Sequence, residues 1–125
     1  MTVSELIPVP SPITATGETG PLAVNSDTAT LTVTVTASAV TGTTPSATFT
    51  AERSLPGADF PPDGSTGWDD GNAVSATALT AAGTKTITLP PSVNASGEVG
   101  AWWRLKWTVT GTTPSFTISV ATAAE

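Results

Sequence analysis

The sequence predicts an all-β fold with the architecture of an antiparallel β-sandwich. Threonine is the commonest of the 125 residues, and its branched side chain, like that of valine, favours extended backbone. Eleven glycines and eleven prolines supply turns between strands. Several runs alternate between apolar and polar residues, and none shows a convincing 3.6-residue period, so we expect little or no helix.

A repeated turn motif places two of the predicted elements. The segment VTGTTPS occurs at residues 40–46 and again, unchanged, at residues 109–115. Each copy lies between alternating runs, which is typical of a β-hairpin. We therefore expect one GTTP hairpin over residues 29–53 and a second over residues 101–121, within an Ig-like or jelly-roll-like sandwich.

The spacing of the two copies predicts a β-bulge. They are an odd number of residues apart, so the apolar positions before the first copy, such as Val33 and Val35, do not match those before the second, such as Leu105 and Trp107. A slip of one residue turns every side chain to the other face, and a bulge is the usual repair. We expect the bulge within residues 37–40, and an unbroken ladder from residue 31 to residue 41 would exclude it.

The chain divides into an extended proline-rich N-terminal arm over residues 1–28 and a β-sandwich domain over residues 29–125. Prolines occupy alternate positions at Pro8, Pro10 and Pro12. Proline lacks the N–H group that an inner strand must donate. The segment is therefore predicted to be an extended arm or an edge strand.

The same alternation predicts which side chains form the core, because successive side chains of a strand point to opposite faces. The predicted core residues are Leu31, Val33, Val35, Ala47, Phe49, Ala51, Ile87, Leu89, Trp103, Leu105, Trp107, Val109, Phe116, Ile118 and Val120. Between the hairpins we expect a long irregular segment at residues 54–72, a weak strand at 73–80, and a strand at 84–89.

The residue types present exclude most catalytic chemistry. The chain has no histidine and no cysteine, so Ser-His-Asp and Cys-His catalysis, His-ligated metals and disulfides are impossible. The ten acidic residues are scattered, and Glu52 on a polar strand face is expected to be solvated like the others. We predict a protein that is not an enzyme and has no cofactor.

Three aspartates raise the question of a calcium site. Asp63, Asp69 and Asp70 could supply oxygen ligands together with nearby carbonyls. Asp–Gly pairs are also ordinary turn residues, and the spacing does not match the twelve-residue calcium loop. We favour the turn and expect no metal.

The net charge of −6 limits the classes of partner. An acidic field repels nucleic-acid phosphates and anionic membranes. The N-terminus lacks the features of a signal peptide, and no apolar run approaches the ~20 residues of a membrane span. We expect synthesis in a cytoplasm, with no binding to nucleic acid or membrane.

Two tryptophans are candidate binding residues. Trp102 points away from the predicted core, beside Arg104 and Lys106, and an exposed aromatic residue among cations is common at protein interfaces. It could also stack on a sugar. Coverage of Trp102 by the arm or by the long segment is as well supported as an interface. Trp68 is expected to be either a lid on the core or a second contact point.

The N-terminal arm supplies the other candidates. Its apolar residues would be poorly placed in bare solvent, and an extended segment can add a strand to a neighbour's sheet. The candidate residues of the arm are Leu6, Ile7, Pro8, Val9 and Pro10.

Two blocks of the sequence resemble a known family. The segments TAAGTKTITLP at residues 80–90 and WRLKWTVTGTTPSFTISV at residues 103–120, with TGTTPS at 41–46, resemble a small β-sandwich domain of structural proteins of tailed bacteriophages. The resemblance covers about residues 29–122. It implies a non-enzymatic virion protein, first a capsid decoration (cement) protein bound to the outside of the major capsid protein lattice, and second a tail or minor virion protein.

The resemblance also implies a location and an assembly. The protein would be made in the cytoplasm of a bacterial host and lie on the capsid exterior. Capsid shells present symmetric positions, which favours a cyclic homo-oligomer, with a trimer as first choice. The alternative is a carbohydrate-binding module that uses Trp102 and Trp68 to bind host surface glycans.

Overall fold

A computed structural model describes residues 3–23, 30–56, 66–91, 93, 95–97, 100 and 102–124. The fold is all-β, as predicted, and the described residues contain one 3₁₀ turn, Asp70–Asn72, and no α-helix. No helix in these ranges is long and apolar enough to cross a membrane. The strands are β1 (Val3–Ile7), β2 (Gly17–Glu18), β3 (Leu22–Ala23), β4 (Leu31–Arg53), β5 (Val74–Ser75), β6 (Gly83–Leu89) and β7 (Trp102–Ala124).

Two long strands organise the sheet. β4 and β7 have 23 residues each and pair antiparallel over their whole lengths, from Leu31 opposite Ala124 to Arg53 opposite Trp103. Residues 3–23 follow the outer edge of β7 through β1, β2 and β3. Residues 68–89 follow the outer edge of β4 through β5 and β6. All seven strands belong to one antiparallel sheet.

The two predicted GTTP hairpins are wrong. Each VTGTTPS copy lies inside one of the 23-residue strands, and the copies pair with each other. Gly42 and Gly111 have φ of 115° and 119°, and Thr44 and Thr113 have φ of 48° and 46°, so each strand is locally irregular but continues onward. Turn residues allow the chain either to bend and continue or to reverse its direction. Which of the two occurs at VTGTTPS depends on the strand it pairs with, and that strand is distant in sequence.

The predicted bulge is confirmed. Ala37 pairs with Ile118 whereas Ala39 pairs with Thr117, which leaves Ser38 as the extra residue. The ladder between residues 31 and 41 is therefore broken within the predicted range.

The core contains the predicted side chains. All of them are buried except Val109, which is partly buried against the cluster. Each fully buried aliphatic or phenyl side chain contributes roughly 1.5–3 kcal/mol relative to exposure. Side chains from both ends of the long strands belong to one hydrophobic cluster, and face-to-face sandwich packing stays a prediction.

The N-terminal segment is part of this sheet. β1 ends at Ile7, before the three prolines, and is an edge strand of the sheet. Ile7 and Ile13, on either side of the prolines, lie in the core. Ile13 exchanges two backbone hydrogen bonds with Phe116, of 2.9 and 3.0 Å. The predicted boundary between arm and domain, at residues 28 and 29, falls outside the described residues.

Candidate partner-binding face

Threonines from β4 and β6 form a regular array on the outside of the sheet. Their side chains alternate with buried neighbours and therefore point away from the core. The opposed pairs are Thr32–Thr88, Thr34–Thr86 and Thr36–Thr84. In the last pair the two Oγ1 atoms lie 3.4 Å apart.

The array continues across β7 to β1. Ser119, Ala121 and Ala123 lie beside the threonines of β4, and Leu6 lies beside Ala121 on the far side. Leu6 is 76% exposed, although it is a large apolar residue. We call this surface the open face; it consists of Leu6, Thr32, Thr34, Thr36, Thr84, Thr86, Thr88, Ser119, Ala121 and Ala123.

The open face is suited to binding another surface. None of its side chains is charged, so a partner can cover it without removing ions from water, which is the costly part of burying polar surface. Leu6 offers an apolar anchor, and the short side chains around it let a partner approach the sheet closely. These properties favour a flat protein contact over a catalytic pocket.

The other end of the sheet carries a charged cluster instead. Glu52 of β4 is 2% exposed and lies opposite Arg104 of β7, which is 5% exposed. The Nε of Arg104 donates to Oε1 of Glu52 at 3.1 Å, and Nη1 lies 3.3 Å from Oε2 of Glu18. Lys106 Nζ adds a contact of 3.3 Å to the same oxygen of Glu52. The expectation that Glu52 is solvated is therefore wrong, because its cross-strand neighbours are cations.

Trp68 closes this cluster. The Arg104 guanidinium carbon lies 4.3 Å from the Trp68 ring centroid, a cation–π contact, and Trp68 is 5% exposed. The Glu52 carboxylate meets two cations, and an indole covers one of them. Such an arrangement links β4, β7 and the segment around Trp68 at this end of the sheet.

The candidate residues predicted from the sequence fall into two groups at opposite ends of β7, and the first group consists of Trp68, Trp102 and Arg104. Trp68 and Arg104 are buried and in contact with each other, so Arg104 is not part of an exposed cationic patch. Trp102 is half-buried beside Ala23 of β3, and its backbone N–H donates to Ser54 Oγ at 3.1 Å. These residues meet at one end of β7.

The candidates of the arm lie at the opposite end. Leu6 is exposed, its neighbour Ile7 is buried in the core, and Val9 is half-buried against it. Pro8 and Pro10 are exposed. Only Leu6 of this group belongs to the open face.

The three aspartates considered as calcium ligands are only partly described. Asp63 lies outside the described residues, and Asp69 and Asp70 flank the start of the 3₁₀ turn. Within the described ranges no group of three or more acidic side chains could hold a metal ion.

The open face was not predicted as a site. Its signal was present in the alternating threonines at residues 32–36 and 84–88, but the sequence does not show that the two runs are adjacent. The Glu52–Arg104 pair was missed for the same reason, because opposition across strands depends on register.

Comparison with family models, curated proteins and solved structures finds no match to this chain. The likeness to a bacteriophage domain thus stays an expectation drawn from the sequence.

Proposed function

We propose that the protein is a non-enzymatic structural component of a tailed-bacteriophage virion, a capsid decoration protein that binds and stabilises the outer surface of the major capsid protein lattice. The observation that carries the proposal is the open face, an uncharged sheet surface with Leu6 76% exposed at its edge. The virion setting comes from the sequence resemblance.

Leu6 is the anchor of this contact. Full burial of a leucine contributes roughly 1.5–3 kcal/mol, and interface energy concentrates in a few such residues. Leu6 also lies on β1, at one end of the strand order. Among the described residues nothing pairs with the outer edge of β1, so a capsid strand can add there while its side chains cover Leu6.

Decoration requires a surface that recognises a repeated partner and performs no chemistry. The acidic net charge of −6 keeps free copies apart, and the open face itself carries no charged side chain. We propose a homotrimer as the attached form, because a capsid presents symmetric groups of subunits.

The test is co-sedimentation of the purified protein with empty capsids, using Leu6→Asp and the control Val93→Asp. Val93 is also an exposed apolar residue, at 55%, and is not part of the open face. We expect saturable binding of the wild type and of the control, and a loss of at least about tenfold in affinity for Leu6→Asp, the equivalent of about 1.4 kcal/mol.

Wild-type protein that fails to bind capsids would overturn the decoration role, and binding to purified tails instead would favour the tail or minor virion alternative. If Leu6→Asp bound capsids with the affinity of the wild type, the open face would be excluded as the capsid-binding surface. The glycan-binding alternative has less support, because Trp68 is buried and Trp102 is half-buried. Hits on a glycan array would revive it.

A further inference from the structure

The pairing around the two VTGTTPS copies has two-fold symmetry. Each pair of opposed residues within residues 39–48 and 108–117 has a counterpart in which the two strands exchange places. The matching pairs are Thr41–Ser115 with Thr110–Ser46, and Val40–Phe116 with Val109–Ala47. Thr43, paired with Thr112, lies at the centre.

The two glycines show the same symmetry in atomic detail. A Cβ added to Gly42 would lie 2.8 Å from the carbonyl oxygen of Thr113, and a Cβ added to Gly111 would lie 2.8 Å from that of Thr44. Each copy therefore packs on the other in the same way.

The symmetry extends to the outer segments. Ile13 bridges to Phe116, directly after the second repeat, and Leu79 bridges to Ala47, directly after the first. Leu79 exchanges backbone hydrogen bonds of 2.8 and 3.0 Å with Ala47, as Ile13 does with Phe116. Both bridging side chains are buried in the core.

A second sequence repeat accompanies these bridges. Residues 13–17 read ITATG and residues 79–83 read LTAAG, with threonine, alanine and glycine in common. Gly17 begins β2 and Gly83 begins β6. The two segments are 66 residues apart, whereas the two VTGTTPS copies are 69 residues apart. The segments are therefore recognised as equivalent by their matching pairing with the long strands.

We infer that the chain is a tandem duplication of one structural unit, with unit 1 over residues 3–53 and unit 2 over residues 68–124. Each unit is an outer segment followed by a long strand, and each outer segment pairs with the long strand of the other unit. In the β4–β7 contact the same surface of each unit therefore faces the other unit, as in a two-fold symmetric dimer. Here the two units belong to one chain, and the surface of each unit is complementary to a second copy of that unit.

The outer faces of the two units differ. The cross-strand pair equivalent to Glu52–Arg104 is Ala121–Thr34, which belongs to the open face. One outer face has become charged and is closed by Trp68, while the other is uncharged and open.

Paired substitutions in the full chain test the equivalence. We expect Gly42→Ala and Gly111→Ala to lower the urea midpoint by equal amounts, because their surroundings match. Gly17→Ala and Gly83→Ala are the control: a Cβ at Gly17 would lie 3.1 Å from Trp107 Nε1, whereas at Gly83 the nearest atom is Leu79 Cδ2 at 3.8 Å. This second pair should differ, with the larger loss at Gly17.

Exchanging the order of the units is the second test. Val3 pairs with Ala124 at the start of unit 1, as Trp68 pairs with Ser54 at the start of unit 2. A permuted chain would run from residue 66 to 125 and then from 1 to 56. Its new connection, from residue 125 to residue 1, takes the place of the native connection between residues 56 and 66. We expect a monomer with the native circular dichroism spectrum and a cooperative unfolding transition. Unequal losses at Gly42 and Gly111 would overturn the two-fold equivalence, and an unfolded permuted chain would overturn the interchange of units.

Discussion

Arg104 of β7 lies directly opposite Glu52 of β4, and its Nε donates to the carboxylate at 3.1 Å where both side chains are almost fully buried. A buried ion pair adds little over an apolar pair of the same shape, but removing one partner leaves an uncompensated charge. We therefore expect the pair to disfavour any other register of the two long strands at this end of the sheet.

Removal of the Glu52 carboxylate tests this role. We expect Glu52→Ala to lower the free energy of unfolding by about 3 kcal/mol, because Arg104 loses its buried partner. Glu18→Ala is the control, since the Glu18 side chain is 45% exposed and its contact with Arg104 should be worth less than about 1 kcal/mol. Urea unfolding measures both, and similar losses for the two variants would contradict the assignment.

The stacking of Trp68 on Arg104 predicts an energetic coupling. In a double-mutant cycle with Trp68→Leu and Arg104→Met, we expect a coupling of about 1–2 kcal/mol, because the cation and the ring are both removed from water. The comparison cycle combines Trp68→Leu with Ile87→Val. Ile87 lies in β6 opposite Val33, at the other end of β4 from Ser54, which bridges to Trp68. The effects of these two substitutions should therefore add within about 0.5 kcal/mol. Additivity in both cycles would show that the contact between Trp68 and Arg104 contributes no net interaction energy.

Gly100 tolerates no side chain. A Cβ at this position would collide with the backbone carbonyl of Ser54, and the Gly100 carbonyl accepts a hydrogen bond of 2.8 Å from Arg53 Nε. We expect Gly100→Ala to cost about 3 kcal/mol or more, since a backbone group cannot move aside without shifting the strand. At Gly71 the nearest atom to an added Cβ is 3.8 Å away, so Gly71→Ala should stay within about 0.5 kcal/mol in the same urea experiment.

Neighbouring residues of β1 have opposite roles, which predicts opposite effects on stability. Ile7 is buried, so Ile7→Ala should cost about 2 kcal/mol. Leu6 is exposed, so Leu6→Ala should change stability by less than about 0.5 kcal/mol. Thermal and urea unfolding measure both. A stable Ile7→Ala variant would mean that β1 is not part of the cooperative fold.

Much of the fold could be predicted from local pattern. The strand at residues 84–89, the inward residues of β4 and β7, and the bulge at Ser38 all follow from alternation and its interruption. These features are local because a strand's side-chain period is two, whatever it pairs with.

The candidate site was less accessible to prediction. Leu6 was named, but its neighbours on the open face come from β4, β6 and β7, which only register brings together. Arg104 and Trp68 were named as exposed contacts, yet each is buried against the other. A charged residue on an alternating strand is normally outward and solvated, and the segment that covers it is distant in sequence.

The sequence by itself determined which residues are inward, where the strand register must slip, and that the chain forms β-structure without a catalytic centre based on histidine or cysteine. Only the tertiary structure decided what each strand pairs with. VTGTTPS is able to bend a strand or reverse it, and two identical copies are complementary to each other. In the folded chain Gly42 and Gly111 pack against the carbonyl oxygens of the opposite copy, so the long strands continue through the repeats as partners instead of turning back as separate hairpins.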